Sequence, residues 1–142
     1  MKRKLIFQLM VGALGLALLV QLIPLAGRGN NPAVVTEPNW NNPQTRDLVK
    51  RACFDCHSNE TLWPWYSYVA PVSWMIYRDV MDGRSHMNFS EWNRPQPAAG
   101  EAAAALREGE MPPAIYLPLH PAAQLSAAEK QALSQGLDLS LP

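Results

Sequence analysis

Both cysteines of this 142-residue chain lie in one pentad, Cys53-Phe54-Asp55-Cys56-His57, and that pentad limits what the chain can become. On a helical backbone, residues three and four apart share a face, so Cys53, Cys56 and His57 can turn toward one object. Cys-x-x-Cys-His is the attachment signature of a c-type haem, with two thiols for the porphyrin's vinyl edge and an imidazole for its iron. A redox dithiol needs no histidine at the fifth position and belongs in a βαβ context that this chain lacks. Zinc wants four N/S ligands, and His86 and His120 lack finger-like spacing. A structural disulfide in an exported protein is the plainest alternative. The coincidence of the pentad with an export signal favours haem.

That signal is N-terminal. The basic cluster Lys2-Arg3-Lys4 precedes an apolar run from Leu5 to about Ile23, broken in side-chain polarity only by Gln8 and Gln21. Nineteen helical residues reach about 28 Å, enough to cross the hydrocarbon core of a bilayer. The positive cluster predicts an N-inside orientation. A cleavable signal peptide is the competing reading, but at Pro24-Leu25-Ala26-Gly27 the −3 position is a proline, a poor small-x-small site. An uncleaved anchor is the favoured expectation. Either way the remainder leaves the cytoplasm, which places it on the side where covalent haem attachment takes place in bacteria.

The chain carries twelve basic and twelve acidic residues, and no acidic residue precedes Gly27. Setting aside Lys2, Arg3 and Lys4 leaves nine Lys/Arg against twelve Asp/Glu outside the membrane, a net of −3. No basic patch for nucleic acid is present. The mild acidity suits solubility and a basic redox partner.

The expected organisation is a cytoplasmic basic tail at 1–4, a transmembrane anchor or uncleaved signal at 5–26, an Asn/Pro-rich linker at 27–42, and one domain at 43–142. Thirteen prolines and few β-branched runs argue against a sheet, so the fold class is all-α. Asn42 caps a helix with Pro43 at its first position, running to about Ala52. A second helix is expected from about Pro71 to Met81, stopped by Asp82-Gly83. A third, alanine-rich helix spans about Pro97 to Glu108 and ends at Gly109. A fourth opens with the capping box Ser126-Ala127-Ala128-Glu129 and continues to about Gln135, before Gly136. The aliphatic core is modest, so a buried haem would form much of the hydrophobic centre.

A haem held by His57 on one face needs its other face explained. Met111 in Gly109-Glu110-Met111-Pro112-Pro113 is the leading candidate. Proline biases the preceding residue toward extended backbone, and two prolines stiffen a loop that can hold a soft thioether against iron. Met/His ligation raises the reduction potential and suits electron transfer. Core packing is the ordinary alternative for any methionine. Met75, Met81 and Met87 are also available, though Met75 and Met81 lie on the expected second helix without such a loop, while His86 and His120 would give bis-histidine iron; an open site is the remaining option. His120 reads more simply as a turn residue with a local hydrogen bond. Trp63, Trp65, Tyr66, Tyr68 and Trp74 suit a haem wall and its propionates as well as they suit ordinary packing. Arg78, Arg84 and Arg94 read as solvated, with propionate pairing the alternative.

With both ligands placed, the chain resembles the bacterial haem-binding domain family, small single-haem proteins often carrying a membrane anchor. The resemblance rests on Arg51 to Thr61, Trp63-Pro64-Trp65-Tyr66, Ala70-Pro71-Val72-Ser73-Trp74, Asn88-Phe89-Ser90-Glu91-Trp92, the Met111-Pro112-Pro113 element and Leu117-Pro118-Leu119-His120-Pro121, in order. It covers roughly residues 38–139. It implies a small cytochrome-c-like helical domain around one covalent haem c, attached at Cys53 and Cys56, with His57 ligation; its Met-Pro-Pro element matches Met111. The element from Asn88 to Trp92 has no firm chemical role at this point beyond closing a loop beside the haem.

The function expected is a membrane-anchored monohaem c-type cytochrome in the bacterial inner membrane, its haem domain on the periplasmic side, passing single electrons. Its partners would be redox proteins at the membrane, the haem maturation machinery and the bilayer. A ligand-binding or sensor module with a displaceable distal ligand is the alternative. An enzyme is not expected, since a peroxidase would show a distal His with a supporting Arg.

Overall fold

A computed structural model describes residues 2–23 and 29–141. The chain divides into two compact units, Met1–Asn30 with Trp63–Arg78, and Asn31–Leu62 with Asp79–Pro142. The segment weighed above as a cleavage site, 24–27, lies outside the described residues.

In the first unit, helix α1 (Lys2–Val20) has mean hydropathy 1.7 over its apolar window and buries none of its residues within the protein. It is long and apolar enough to cross a membrane. Past its end, the Gln21 amide brackets Ala70, donating to its carbonyl at 3.1 Å and accepting from its N–H at 2.9 Å. A 3-10 turn at Trp65–Tyr68 follows in the same unit.

The second unit is helical, with one isolated parallel bridge, Thr36 to Glu91, and no strand among the described residues. Helix α2 (Pro43–Ala52) begins where expected, because the Asn42 side chain accepts from Thr45 N at 2.8 Å and Pro43 surrenders no needed donor. One residue later comes the single turn α3 (Phe54–His57). Helix α4 (Val72–His86) corrects the expected stop at Asp82-Gly83. Gly83 does not end it: a Cβ there would sit 2.6 Å from the Cys56 carbonyl oxygen, so the glycine serves close packing. A 3-10 turn at Ala99–Glu101 leads into α5 (Ala102–Glu108), closed by Gly109 at φ 78°. Helix α6 (Ala127–Ser140) carries both halves of the Ser126/Glu129 capping box. It runs through Gly136, again past the expected end, because a Cβ at Gly136 would strike the Thr45 side chain on α2.

α6 packs on α2 and α5, and their inner faces build a core from Leu48, Val49, Leu106, Leu133 and Leu137, joined by Phe54 of α3, Met87 and Phe89. The Asn/Pro-rich stretch read as a linker is, over residues 31–42, part of this unit. Val35 and Thr36 N–H groups both donate to the Ser90 carbonyl, Trp92 N–H donates to Thr36, and Trp40 packs on Phe89 at 5.3 Å between ring centroids.

Candidate functional site

The pentad hangs from the end of α2. Cys53 breaks the helix (φ −127°, ψ −29°) while its N–H still reaches Val49 O at 2.8 Å. Its own carbonyl then accepts from Cys56 N–H and His57 N–H, at 3.2 and 2.9 Å, and so starts α3. The two intervening residues divide the structural labour. Phe54 is 2 % exposed and stacks on Phe89 at 5.8 Å, anchoring the turn in the core. Asp55 spreads its carboxylate, accepting from Leu62 N–H at 2.9 Å and from the Tyr116 hydroxyl at 2.6 Å. Cys53, Cys56 and His57 are left half-buried, and both cysteines are free thiols. Burial pushes the Cys53 thiol up to about 12, with Cys56 adding to it, and the Cys56 thiol up to about 11, with Asp55 and Asp79 adding. Both are therefore neutral at pH 7.

His57 is held at both polar ends. Its Nδ1 lies 3.1 Å from the Met87 carbonyl, and its backbone carbonyl accepts from Phe89 N–H at 2.8 Å. A carbonyl can only accept, so Nδ1 carries the proton and Nε2 keeps its lone pair. Burial lowers the imidazole's pKa, partly opposed by the backbone partners Met87 and Gly83, which keeps the ring in the neutral, ligating form. This is the arrangement of a metal-binding histidine with its second nitrogen fixed by a carbonyl. Together with two free thiols in the same turn, it fits a haem.

The segment 84–91 grips the residues that leave the pentad, which gives the element from Asn88 to Trp92 the role that its sequence did not reveal. Asn59 donates to Ala33 O and Glu91 Oε1 and accepts from Asn88 Nδ2 at 2.9 Å, while its N–H donates to Ser90 Oγ. Phe89, wholly buried, touches Trp40, Phe54, His57 and Trp92. Arg84 corrects the expectation of a solvated face. It is 8 % exposed, and its Nε donates to the Ser58 carbonyl at 2.7 Å, with further bonds to Thr61 Oγ1 and Asn31 Oδ1. Arg94 donates to Glu91 and to the Arg84 carbonyl.

Met111 follows the left-handed Gly109, where Glu110 and Met111 N–H groups both close on Ala105 O. Its side chain is 41 % exposed, so core packing is not its role; Met87, at 6 %, fills that one. The peptide to Pro112 is cis. Beyond it, Tyr116 stacks on His120 at 3.7 Å, and His120 Nδ1 meets Tyr116 O at 2.8 Å, the local turn bond expected of that histidine. His86 ends α4 exposed, with Nδ1 2.8 Å from Asp82 O. The structure thus gathers Cys53, Cys56 and His57 in one turn and ties the Met111-bearing segment to that turn through Tyr116 and Asp55.

The aromatic run lies in the first unit. Trp65 meets Tyr66 edge-on at 5.7 Å and is 78 % exposed. Ser73 Oγ and Trp74 Nε1 are buried without a hydrogen-bond partner among the described residues, an arrangement that a carboxylate acceptor would satisfy.

A family model described as "Haem-binding domain" matches residues 15–138, a stretch that takes in the pentad, the segment 84–91 and Met111. No curated protein and no solved structure matches the chain.

Proposed function

The chain belongs to the haem-binding domain family, and from that premise we propose that it is a membrane-anchored monohaem c-type cytochrome that carries single electrons. The observation that carries this reading is His57, its Nδ1 engaged by the Met87 carbonyl and its Nε2 left to ligate, one residue from a free thiol. Cys53 and Cys56 would hold the haem covalently as thioethers to its vinyl groups, a linkage that takes up each thiol's sulfur and hydrogen together and needs no oxidant. When bound, the haem supplies a one-electron couple at its iron. His57, oriented by the Met87 carbonyl, and the exposed thioether of Met111 would hold the iron. Phe54 and Phe89 keep water from the inner side of the turn. Helix α1 would hold the domain at the bacterial inner membrane, on the periplasmic side, where a tether raises the encounter rate with membrane-bound redox partners.

The exposure of Met111, on a stretch with little buried surface, is what favours the second reading, a ligand-binding haem whose distal residue yields to a diatomic gas. One experiment separates the two. The haem-matured full chain in detergent is compared with Met111→Ala by visible spectroscopy and carbon monoxide titration. The carrier reading expects a low-spin wild type that resists carbon monoxide, with the variant high-spin and reactive. A wild type that binds carbon monoxide as readily as the variant refutes it. Haem that leaves the protein in acidified acetone would refute covalent attachment.

A further inference from the structure

Residues 113–122 contain no buried side chain, and the nearest buried positions are Pro112 and Ala123. With only Tyr116, Leu117 and His120 half-buried, burial holds this stretch weakly, and its position leans on polar ties. Several are internal, such as Tyr116 N–H to Pro113 O and Gln124 Nε2 to Leu117 O. Among those that reach the α2–α3 arm are Arg51 Nε to Ala122 O at 3.0 Å and the Tyr116 hydroxyl to Asp55 Oδ2 at 2.6 Å.

The Tyr116 bond is different in kind. It ends on a carboxylate, which makes it short and strong, and that carboxylate belongs to the residue between the two cysteines' turn positions. The other Asp55 oxygen is committed to Leu62 N–H, so the acceptor cannot swing away. The donor's orientation is fixed within its own turn: the phenol ring lies flat on His120, 9° from parallel, and His120 closes back on the Tyr116 carbonyl. The bond therefore joins a turn ordered in itself to a fixed acceptor, and Tyr116 stands only five residues beyond Met111.

We propose that the Asp55–Tyr116 hydrogen bond is a latch that positions the Met111 thioether at the haem iron. Tyr116 and Asp55 are positioning residues, acting through the backbone between 111 and 116. The inference rests on the reading of Met111 as an axial ligand. Loss of the latch leaves the thioether attached to the chain but lets it dwell away from the iron, so the distal position opens without haem loss.

The test uses the haem-matured full chain in detergent: wild type, Tyr116→Phe, Asp55→Asn, Arg51→Gln and Met111→Ala. Carbon monoxide association with the ferrous form and amide exchange across 113–122 are measured well below the melting temperature. Tyr116→Phe is expected to bind carbon monoxide on the order of tenfold faster than wild type, from loss of a charge-assisted bond, and to exchange faster across 113–122 with α6 unchanged. Asp55→Asn leaves one neutral oxygen for two donors, Leu62 N–H and the Tyr116 hydroxyl, so it moves the same way and, as a change at the other end of the bond, guards against a folding defect in the first variant. Arg51→Gln, cutting the tie farther from Met111, leaves association near wild type. Unchanged association in Tyr116→Phe, or an equal rise in Arg51→Gln, overturns the latch while Met111 ligation stands. A wild type already as reactive as Met111→Ala overturns the ligation reading itself and, with it, the latch.

Discussion

Replacing Gly83 with alanine is the sharpest probe of how the fold serves the pentad. The added Cβ would come 2.6 Å from the Cys56 carbonyl oxygen, 3.0 Å from its carbon and 3.1 Å from the Cys56 Cβ, whereas ordinary contact begins at 3.4 Å. Either α4 or the α3 turn must retreat by 3.4 less 2.6, or 0.8 Å. The obstacle is backbone whose neighbours are pinned, since Cys53 O accepts from both Cys56 and His57 and Phe89 N–H holds His57 O. The steric cost therefore belongs at the upper end of overpacking penalties, about 3 kcal/mol. Alanine's better helix propensity returns about 1 kcal/mol, leaving a net loss of about 2 kcal/mol. For a domain of roughly 100 residues this lowers Tm by about 10 °C. Thermal unfolding followed by circular dichroism measures it, with Gly100→Ala as the control, because a Cβ at Gly100 meets nothing within 4 Å. The displacement also carries Met87 with it, since Met87 N–H is bonded to Gly83 O, so the His57 Nδ1 bond weakens and the haem spectrum changes. A Gly83→Ala protein that melts at or above wild type would show that α4 does not press on the pentad.

Two further outcomes are expected. The Glu129 carboxylate is held down at about 2 by the Ser126 backbone N–H first, then by Arg51 and the Ser126 hydroxyl. A carboxylate lowered from 4.5 stabilises the fold above that value and loses its contribution as pH falls from about 4.5 to about 2; denaturant midpoints across this window should fall more steeply in wild type than in Glu129→Gln, and parallel curves would refute the linkage. Asn88→Ala strands Asn59 Oδ1 and Ser90 N–H, both in buried residues, and should cost about 2 kcal/mol or more in urea unfolding; a loss below about 0.5 kcal/mol, the scale of an ordinary surface substitution, would place that network outside the stability of the domain.

What the sequence made legible was local chemistry. Asn42 before Pro43, the Ser126/Glu129 box and Gly109 at a helix end each act within a turn of their own position, and each behaves as its residue type dictates. Glycine misled where its reason was distant. Gly83 and Gly136 look like the same stop signal as Gly109, yet neither has a positive φ. They are glycine because Cys56 and Thr45, far along the chain, leave no room for a Cβ. Nothing within a ten-residue window distinguishes a helix cap from a close helix approach.

The site divides along the same line. That two thiols and an imidazole share one turn was readable because their spacing alone brings them together. The apparatus holding His57 was not, because it joins residues about thirty positions apart and is mostly backbone: the Met87 carbonyl, the Phe89 N–H, and the Ser58 carbonyl taken by Arg84. Any residue offers a carbonyl, so Met87 leaves no mark in the sequence for its part. Arg84 leaves a misleading one, since arginine is mostly exposed unless paired; here carbonyl and hydroxyl acceptors satisfy it in the interior. The side chains that do carry a signal are Asn88, Ser90 and Asn59, whose amides and hydroxyl bridge the two segments. A dense polar run around a single wholly buried phenylalanine is the pattern of a clamp. The clamp holds His57 through its Nδ1 and its backbone carbonyl, so the same bonds that build the fold orient the imidazole.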